Sequence, residues 1–313
     1  MGKIKTALKL LRNGRGFQAA IADNITSNKL FQVLPDTIYL KLIYRLYVGK
    51  KLNLKNPKTY SEKLQWLKIH DRKPHYTKFV DKYDVKRHVA NLVGEEYIIP
   101  NIGVWESFDE IDFDSLPNQF VLKCTHDSGS VVICKDKNSF DYEKAKAKLS
   151  AKFNTNLFYH SREWPYKNVK PRILAEAYME DSSTQELRDY KFYCFKGEAK
   201  FLYVSRGLSG SHNDAEMSFY DLNWEKTPFQ RDDYRALSVA PQKPVGFETM
   251  IKLANRLSAG IPFLRVDLYE VNGRVYFSEM TFYPGSGFTP FASDEWEDTI
   301  GGWITLPIEK DTK

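Results

Sequence analysis

From Phe263 to Gly287 the chain reads Phe263-Leu-Arg265-Val-Asp267-Leu-Tyr-Glu-Val-Asn-Gly-Arg-Val-Tyr-Phe-Ser-Glu279-Met-Thr281-Phe-Tyr-Pro-Gly-Ser-Gly287. An Asn-Gly pair between two strand-like apolar runs signals a hairpin, so the runs are expected to lie side by side and antiparallel. Because side chains alternate faces along a strand, loop length decides which residues share a face. A strict two-residue turn pairs Val271 with Arg274 and puts Asp267 and Glu279 on opposite faces. A three-residue loop, with Gly273 left-handed in a G1 bulge, pairs Glu270 with Arg274 and brings Arg265, Asp267, Glu279 and Thr281 onto one face. The second arrangement is expected, since four polar groups in strands otherwise rich in Phe, Val, Leu and Tyr point to a site. Two carboxylates so placed can hold Mg²⁺ against the phosphates of a nucleotide.

At 313 residues, 42% hydrophobic and 27% charged, the chain has enough apolar material for a substantial core and is not a disordered one. Its net charge of +6 suits an anionic partner, and a nucleotide, an acidic glycan, a nucleic acid or a membrane surface would each satisfy it. Lysines are spread along the chain and no nucleic-acid motif accompanies them, so no nucleic-acid partner is expected. Cys124, Cys134 and Cys194 lie in strand-like runs with no CxxC or Cys/His cluster, which reads as buried free thiols in a reducing compartment. No run reaches the roughly 20 apolar residues of a membrane span, and the first 15 residues lack the apolar core of a signal peptide, so a cytoplasmic protein is expected. Those residues do place Ile4, Ala7, Leu8 and Leu11 at helical spacing among Lys3, Lys5, Lys9 and Arg12. Such a helix lies on an anionic membrane surface, giving peripheral association, or packs on its own protein; the pattern leaves both open.

Three stretches are expected along the chain. Residues 1–95 read as a helical N-terminal region, with capping-box spacing at Thr59-Tyr-Ser-Glu62 and a second helix from Asp81 through Leu92. Residues 96–185 form a lobe whose hairpin joins Phe120-Val-Leu-Lys-Cys-Thr-His126 to Val131-Val-Ile-Cys134 through Ser128-Gly129-Ser130. Residues 186–313 form a second lobe with strands around Lys196-Gly197, an irregular flap at 209–242, a helix carrying Phe247, Met250, Ile251, Ala254 and Leu257, and the metal-binding hairpin. Mixed strands and helices without βαβ alternation indicate an α+β protein.

Within these stretches several side chains stand out. Lys123 alternates onto the face opposite Phe120, Leu122 and Cys124, where its ammonium needs an anionic partner. The Ser128-Gly129-Ser130 loop can offer backbone N–H groups to phosphate oxygens. Glu176 closes a short apolar strand, and Asp189 and Lys191 face the same way two residues apart. Each of these is, taken singly, as well explained by a solvated strand end or a surface ion pair.

Taken in order, Asp81-Lys82, Phe-Val-Leu-Lys123, Ala-Glu176-Ala-Tyr178, Asp189-Tyr-Lys191, Arg265-Val-Asp267 and Glu279-Met-Thr281-Phe-Tyr-Pro-Gly285 resemble the ATP-grasp superfamily. More narrowly, Asn56-Pro-Lys-Thr-Tyr-Ser-Glu62-Lys-Leu-Gln-Trp66, Asp81-Lys-Tyr83, Asp189-Tyr-Lys-Phe-Tyr-Cys-Phe-Lys-Gly197 and Ser278-Glu-Met-Thr-Phe-Tyr-Pro-Gly-Ser-Gly287 resemble its TupA-like branch, named for teichuronopeptide biosynthesis. The resemblance spans roughly residues 50–308. It implies two α+β lobes enclosing a nucleotide cleft, with Lys82 and Lys123 on phosphates, Ser128, Gly129 and Ser130 closing over them, and Glu176 to Tyr178 as adenine hinge. It also implies Asp189 near the ribose, Lys191 nearer the phosphates, and Mg²⁺ on Asp267 and Glu279. The superfamily usually has Asn where this chain has Thr281, whose hydroxyl can still ligate the metal. The implied activity is an ATP- and Mg²⁺-dependent carboxylate-amine ligase working through an acyl phosphate. Arg265, then Arg206, is the candidate for stabilising the oxyanion. The expected partners are a uronic-acid-containing glycan or sugar nucleotide and an amino acid or other amine, in cell-surface polysaccharide synthesis. A sugar phosphotransferase or a glycosyltransferase of capsule or O-antigen synthesis is the alternative.

Overall fold

The computed structural model describes residues 14–183, 187–206, 215–231 and 233–307. The expected basic amphipathic helix therefore lies almost wholly outside the described residues. In chain order the helices are α1 (Gly14–Ser27), α2 (Asp36–Val48), α3 (Tyr60–His70), α4 (Tyr76–Val80), α5 (Asp84–Val93), α6 (Tyr142–Phe153), α7 (Leu157–Ser161), α8 (Phe247–Leu257) and α9 (Asp294–Trp303). The strands are β1 (Asn101–Trp105), β2 (Phe120–Cys124), β3 (Val131–Cys134), β4 (Ile173–Ala177), β5 (Arg188–Phe195), β6 (Glu198–Arg206), β7 (Glu216–Asp221), β8 (Phe263–Val271) and β9 (Arg274–Thr281). Contacts divide the chain into two units, one of Met1–Arg72, Leu157–Trp164 and Tyr283–Lys313, the other of Lys73–Asn156 and Pro165–Phe282. No helix among the described residues is long and apolar enough to cross a membrane.

The first unit is helical. Thr59 accepts from the Glu62 backbone N–H while the Glu62 side chain reaches back, so the expected capping box starts α3. Tyr39, Leu40, Ile43 and Tyr44 on α2 pack with Leu52 and Phe288 as its core. Gly301 on α9 lies so close to the strap before α3 that a Cβ there would sit 2.3 Å from the Lys58 carbonyl oxygen.

The second unit holds both sheets, ordered β1-β4-β2-β3 and β7-β6-β5-β8-β9, with every pairing between neighbouring strands antiparallel. Phe120, Leu122 and Cys124 alternate into the core of the four-stranded sheet with Ile173, Ala175 and Leu149, which leaves Lys123 on the other face as expected. Burial of Phe247, Met250, Leu253, Ala254 and Leu257 seats α8 against β5, β6 and β8. All three cysteines are buried and free. Together these layers form an α+β protein.

Three local expectations need correction. The hairpin uses a strict two-residue turn, Val271 opposite Arg274, with Asn272 (φ 51°) and Gly273 (φ 73°) both left-handed. Such a turn matches the twist of its strands, which a type I turn would splay. The extra residue falls inside β9 instead: Leu268 faces Phe277 but Asp267 faces Glu279, so Ser278 is bulged and the two carboxylates share a face after all. Residues Asp81 and Lys82 precede α5 rather than belonging to it, because the Asp81 carboxylate accepts from the Tyr83 and Asp84 N–H groups and starts the helix there. Finally, the stretch read as an irregular flap contains β7, whose Met217, Ser218 and Phe219 are all buried, so no clean polar alternation marked it.

Candidate functional site

The bulged hairpin builds a row of charges. Arg265 on β8 donates through Nε to Asp267 Oδ1 (2.7 Å) and through Nη2 to Asp267 Oδ2 (2.6 Å), Glu279 Oε1 (3.0 Å) and Thr281 Oγ1 (2.9 Å). Lys191 stands opposite Asp267 on β5; its ammonium lies 2.5 Å from Asp267 Oδ2 and also grips Asp189. Asp267 is fully buried between these two cations. Burial alone would raise the Glu279 carboxyl, but Lys191, Arg265 and Lys82 outweigh it and hold it at about 2. Burial, with Asp267 adding its charge, pushes Asp189 up to about 6 against the pull of Lys191. Burial disfavours the Lys191 ammonium, yet Asp189 and Asp267 leave its pKa well above the usual lysine value.

A second charge cluster lies on the four-stranded sheet. Glu176 is buried, with Lys86 Nζ 2.5 Å from Oε1 and the Lys123 ammonium on Oε2. Lys86 comes from α5 and also donates to the Ile99 carbonyl (2.8 Å) and Asn101 Oδ1 (2.5 Å). Burial depresses Lys86 to about 8, with Glu176 opposing. Burial would raise Glu176, but Lys123 and Lys86 bring it below the usual carboxylate value. Lys123 thus has the anionic partner its position demanded, and Glu176, expected as a hinge residue, has a lysine on each oxygen. Lys86 escaped sequence reasoning altogether. Its signal was there in the helical spacing that buries it beside Val85 and Val89.

Lys82 donates to the Asp127 carbonyl, and burial lowers its pKa despite the attraction of Glu279 and Asp127. In the β2–β3 loop, Ser130 Oγ donates to Asp127 Oδ1 (2.5 Å) and accepts from the Cys124 N–H (3.0 Å), which fixes the base of the loop. Ser128 and Gly129 form its exposed tip, with Gly129 at φ 91° and open space around it.

Of these residues Lys123, Glu176 and Asp189 line a cavity of about 520 Å³ inside the second unit, in the size range of small-ligand pockets. Val121, Val131 and Ile133 from one sheet line it, and Lys123, Glu176, Tyr178, Asp189, Arg206 and Tyr269 are among the other lining residues. The Lys135 ammonium sits over the Tyr178 ring at 5.4 Å. Asp189 Oδ1 is buried and has no hydrogen-bond partner, an acceptor left for a donor. The lining thus combines apolar side chains with both cations and carboxylates and one unfilled buried acceptor. Every sequence-predicted residue except Lys82, Ser128, Gly129, Ser130, Lys191 and the hairpin row lines this cavity.

The Pro284-Gly-Ser-Gly287 turn belongs to the helical unit, and its carbonyls point inward. Ser286 O accepts from Lys68 Nζ (2.8 Å) and Gly287 O from Gln65 Nε2 (2.8 Å), while Ser286 Oγ donates to Glu163 Oε1 (2.7 Å). Burial brings Lys68 down to about 7, with Glu163 opposing.

Residues 62–305 match the model of the family described as TupA-like ATPgrasp. The chain belongs to the TupA-like ATP-grasp family. Comparison with curated proteins found no match. Among solved structures, the D-alanine--D-alanine ligase of Bacillus anthracis is similar at 15% identity over 65% of this chain, with a TM-score of 0.37. The D-alanine-D-alanine ligase of Helicobacter pylori is similar at 13% identity over 79% of this chain and 69% of its own, with a TM-score of 0.42. The ATP-grasp ligase PsnB, complexed with a phosphomimetic variant of its minimal precursor, Mg and ADP, is similar at 8% identity over 78% of this chain and 64% of its own, TM-score 0.41. This TupA-like chain spans 57% of the length of the Bacillus ligase.

Proposed function

We propose that this TupA-like protein is an ATP-dependent ligase that joins a carboxylate to an amine through an acyl phosphate. The reading extends to a uronic acid carboxylate on a surface glycan or sugar nucleotide and an amino acid or other amine as nucleophile. The observation that carries it is the row Arg265, Asp267, Glu279 and Thr281 with Lys191 beside it, in the same unit as the cavity that Lys123 and Asp189 line.

Asp267, Glu279 and Thr281 offer only oxygen donors, and Glu279 is ionised at any ordinary pH, so the set suits a hard divalent cation. Among the described residues no group of three or more His, Cys, Asp or Glu side chains is placed to hold a metal; Thr281 is the third protein donor in this assignment. Mg²⁺, held there, would neutralise phosphate charge. Val121, Val131 and Ile133 take the base, and Asp189 Oδ1 accepts from a ribose hydroxyl. Lys123 and Lys82 reach for phosphate oxygens, and Ser128 to Ser130 fold over them. Phosphoryl transfer needs little beyond such positioning and charge. When the amine attacks, the tetrahedral oxyanion wants a fixed cation. Arg265 uses Nε and Nη2 for its bonds to the row, which leaves Nη1 for that oxygen; Arg206 lines the cavity as the second candidate.

Release of ADP and phosphate is the test, measured with candidate uronosyl acceptors and an amino-acid panel. Hydroxylamine should trap a hydroxamate from the acyl phosphate; ADP release with a phosphorylated sugar and no hydroxamate would favour the phosphotransferase reading instead. Full activity in Asp267→Asn with Glu279→Gln would remove the metal assignment.

A further inference from the structure

Charge is distributed unevenly along this chain. Residues 14–58 hold eight Lys and Arg against Asp23 and Asp36 alone, a surplus of six that equals the net charge of the whole protein. The same stretch concentrates exposed large apolar side chains: Phe17, Ile21, Leu30, Val33 and Ile38 are all exposed, Leu30 at 74% and Val33 at 82%. Soluble surfaces scatter such residues singly, whereas a cluster rimmed by charge marks an interaction site.

Within each element the spacing pairs them. Phe17 and Ile21 are four apart on α1, and Leu30 and Val33 are three apart in the 3-10 turn Lys29–Val33, where side chains at that spacing eclipse. On α2, Ile38, Lys41 and Arg45 form one exposed stripe, while Tyr39, Leu40, Ile43 and Tyr44 face the core. Lys41 continues that stripe into a groove of about 450 Å³ that it lines with Lys51 and Lys55. None of these three lysines forms an ion pair with a described residue, so their charge is unspent.

We propose that the exposed side chains of the 3-10 turn and α2 dock on an anionic lipid bilayer, with Leu30, Val33 and Ile38 entering the headgroup boundary and Lys41, Lys51 and Lys55 taking lipid phosphates. Charge complementarity selects that occupant. Apolar insertion and basic attraction are the two contributions that together hold a protein at a bilayer surface, and each alone gives only marginal binding. This docking face is independent of the ligase reading and of the basic segment before Gly14.

The experiment is co-sedimentation of the full chain with vesicles of phosphatidylglycerol and phosphatidylcholine, against phosphatidylcholine alone. Wild type should bind only the anionic vesicles, and raised salt should release it. Leu30→Ser with Val33→Ser, and separately Lys41→Glu with Lys51→Glu, should each lower partitioning at least about tenfold. Thermal unfolding should be unchanged, since all four side chains are exposed; Lys41→Gln alone, tested at low salt, serves if either pair fails to fold. Partitioning within about twofold of wild type in either folded variant overturns the proposal, because the segment before Gly14 would then suffice. Equal binding to neutral vesicles also overturns it, as does a stable dimer dissolved by Leu30→Ser with Val33→Ser in a protein that ignores vesicles, or tight RNA binding without vesicle binding.

Discussion

Replacing Glu176 by Gln keeps the side chain's shape and removes the one anion between Lys86 and Lys123. Its effect can be worked from Lys86, which sits at about 8 instead of 10.5 because burial outweighs the attraction of Glu176. At roughly 1.36 kcal/mol per pKa unit, a protonated Lys86 costs the fold about 3 kcal/mol at pH 7. A neutral Lys86 at pH 7 costs about 5 kcal/mol by the same arithmetic, and that is the ceiling, since the lysine sheds its proton before paying more. Losing Glu176 therefore adds at most the roughly 1.36 kcal/mol of the one unit between pH 7 and a pKa of about 8 at Lys86, and an amide N–H facing an ammonium adds a further amount of about 1 kcal/mol. The expected loss is about 2–3 kcal/mol at pH 7, below the usual figure for breaking a buried pair because Lys86 can neutralise.

The sign of the pH dependence follows from the same group. A lysine with a depressed folded pKa makes stability rise as pH climbs from about 8 to 10.5, because the unfolded chain binds more protons there. Near pH 9 Lys86 is neutral in both proteins, so the part of the deficit that it causes, about 1 kcal/mol, should vanish. Urea unfolding followed by tryptophan fluorescence at pH 7 and 9 measures this. Adding Lys86→Met to Glu176→Gln should restore part of the loss at pH 7. A deficit that is the same at both pH values, or no recovery in the double variant, would refute the account of Lys86 as a buried ammonium held by Glu176.

Arg265→Lys should cost about 3 kcal/mol of stability, since a lysine cannot reproduce the forked bonds to Asp267, Glu279 and Thr281 and leaves Asp267 buried with fewer partners; chemical denaturation checks it. A carboxyl titrating at about pH 6 should appear in carbon-detected NMR and disappear in Asp189→Asn. Gly301→Ala should destabilise by about 1–3 kcal/mol, because the new methyl meets the backbone of Lys58 and Tyr60 and neither can give way; a lowered melting temperature is the readout.

What could be read from the sequence depended on whether a residue's partner was close along the chain. The capping box at Thr59 and Glu62, the apolar face of α8 and the alternation of β2 are local patterns, and each lies where its period places it. Lys123 needed only the rule that a half-buried ammonium seeks an anion. Identifying that anion as Glu176, and the second lysine as Lys86, required knowing that β4 lies beside β2 and that α5 reaches Ile99 and Asn101. The hairpin shows the same limit from the other side. Parity required one odd residue between Asp267 and Glu279, but either the turn or the strand could supply it, and the twist of a left-handed Asn272-Gly273 turn decided in favour of Ser278.

The placement of cations around that hairpin has a consequence for ligand binding. Lys191 and Arg265 are engaged with Asp189, Asp267 and Glu279, so the cations a triphosphate would attract are already paired with the carboxylates that a divalent cation would attract. On the proposed assignment, nucleotide alone would have to pull Lys191 from two carboxylates, leaving Asp267 buried with less compensation, and metal alone would bring positive charge beside Lys191 and Arg265. With both present, Asp267 would exchange Lys191 for the metal while Lys191 would turn to phosphate, and neither penalty would apply in full. Binding should therefore be synergistic, by about 1–3 kcal/mol of coupling, a factor of 5–150 in affinity. Calorimetric titration of ATP with and without Mg²⁺ measures it, corrected for Mg·ATP formation in solution, and Lys191→Met should reduce the coupling because it removes the cation that must switch partners. Purely additive binding, or coupling that survives Lys191→Met unchanged, would show that Lys191 keeps its carboxylates when the nucleotide is bound.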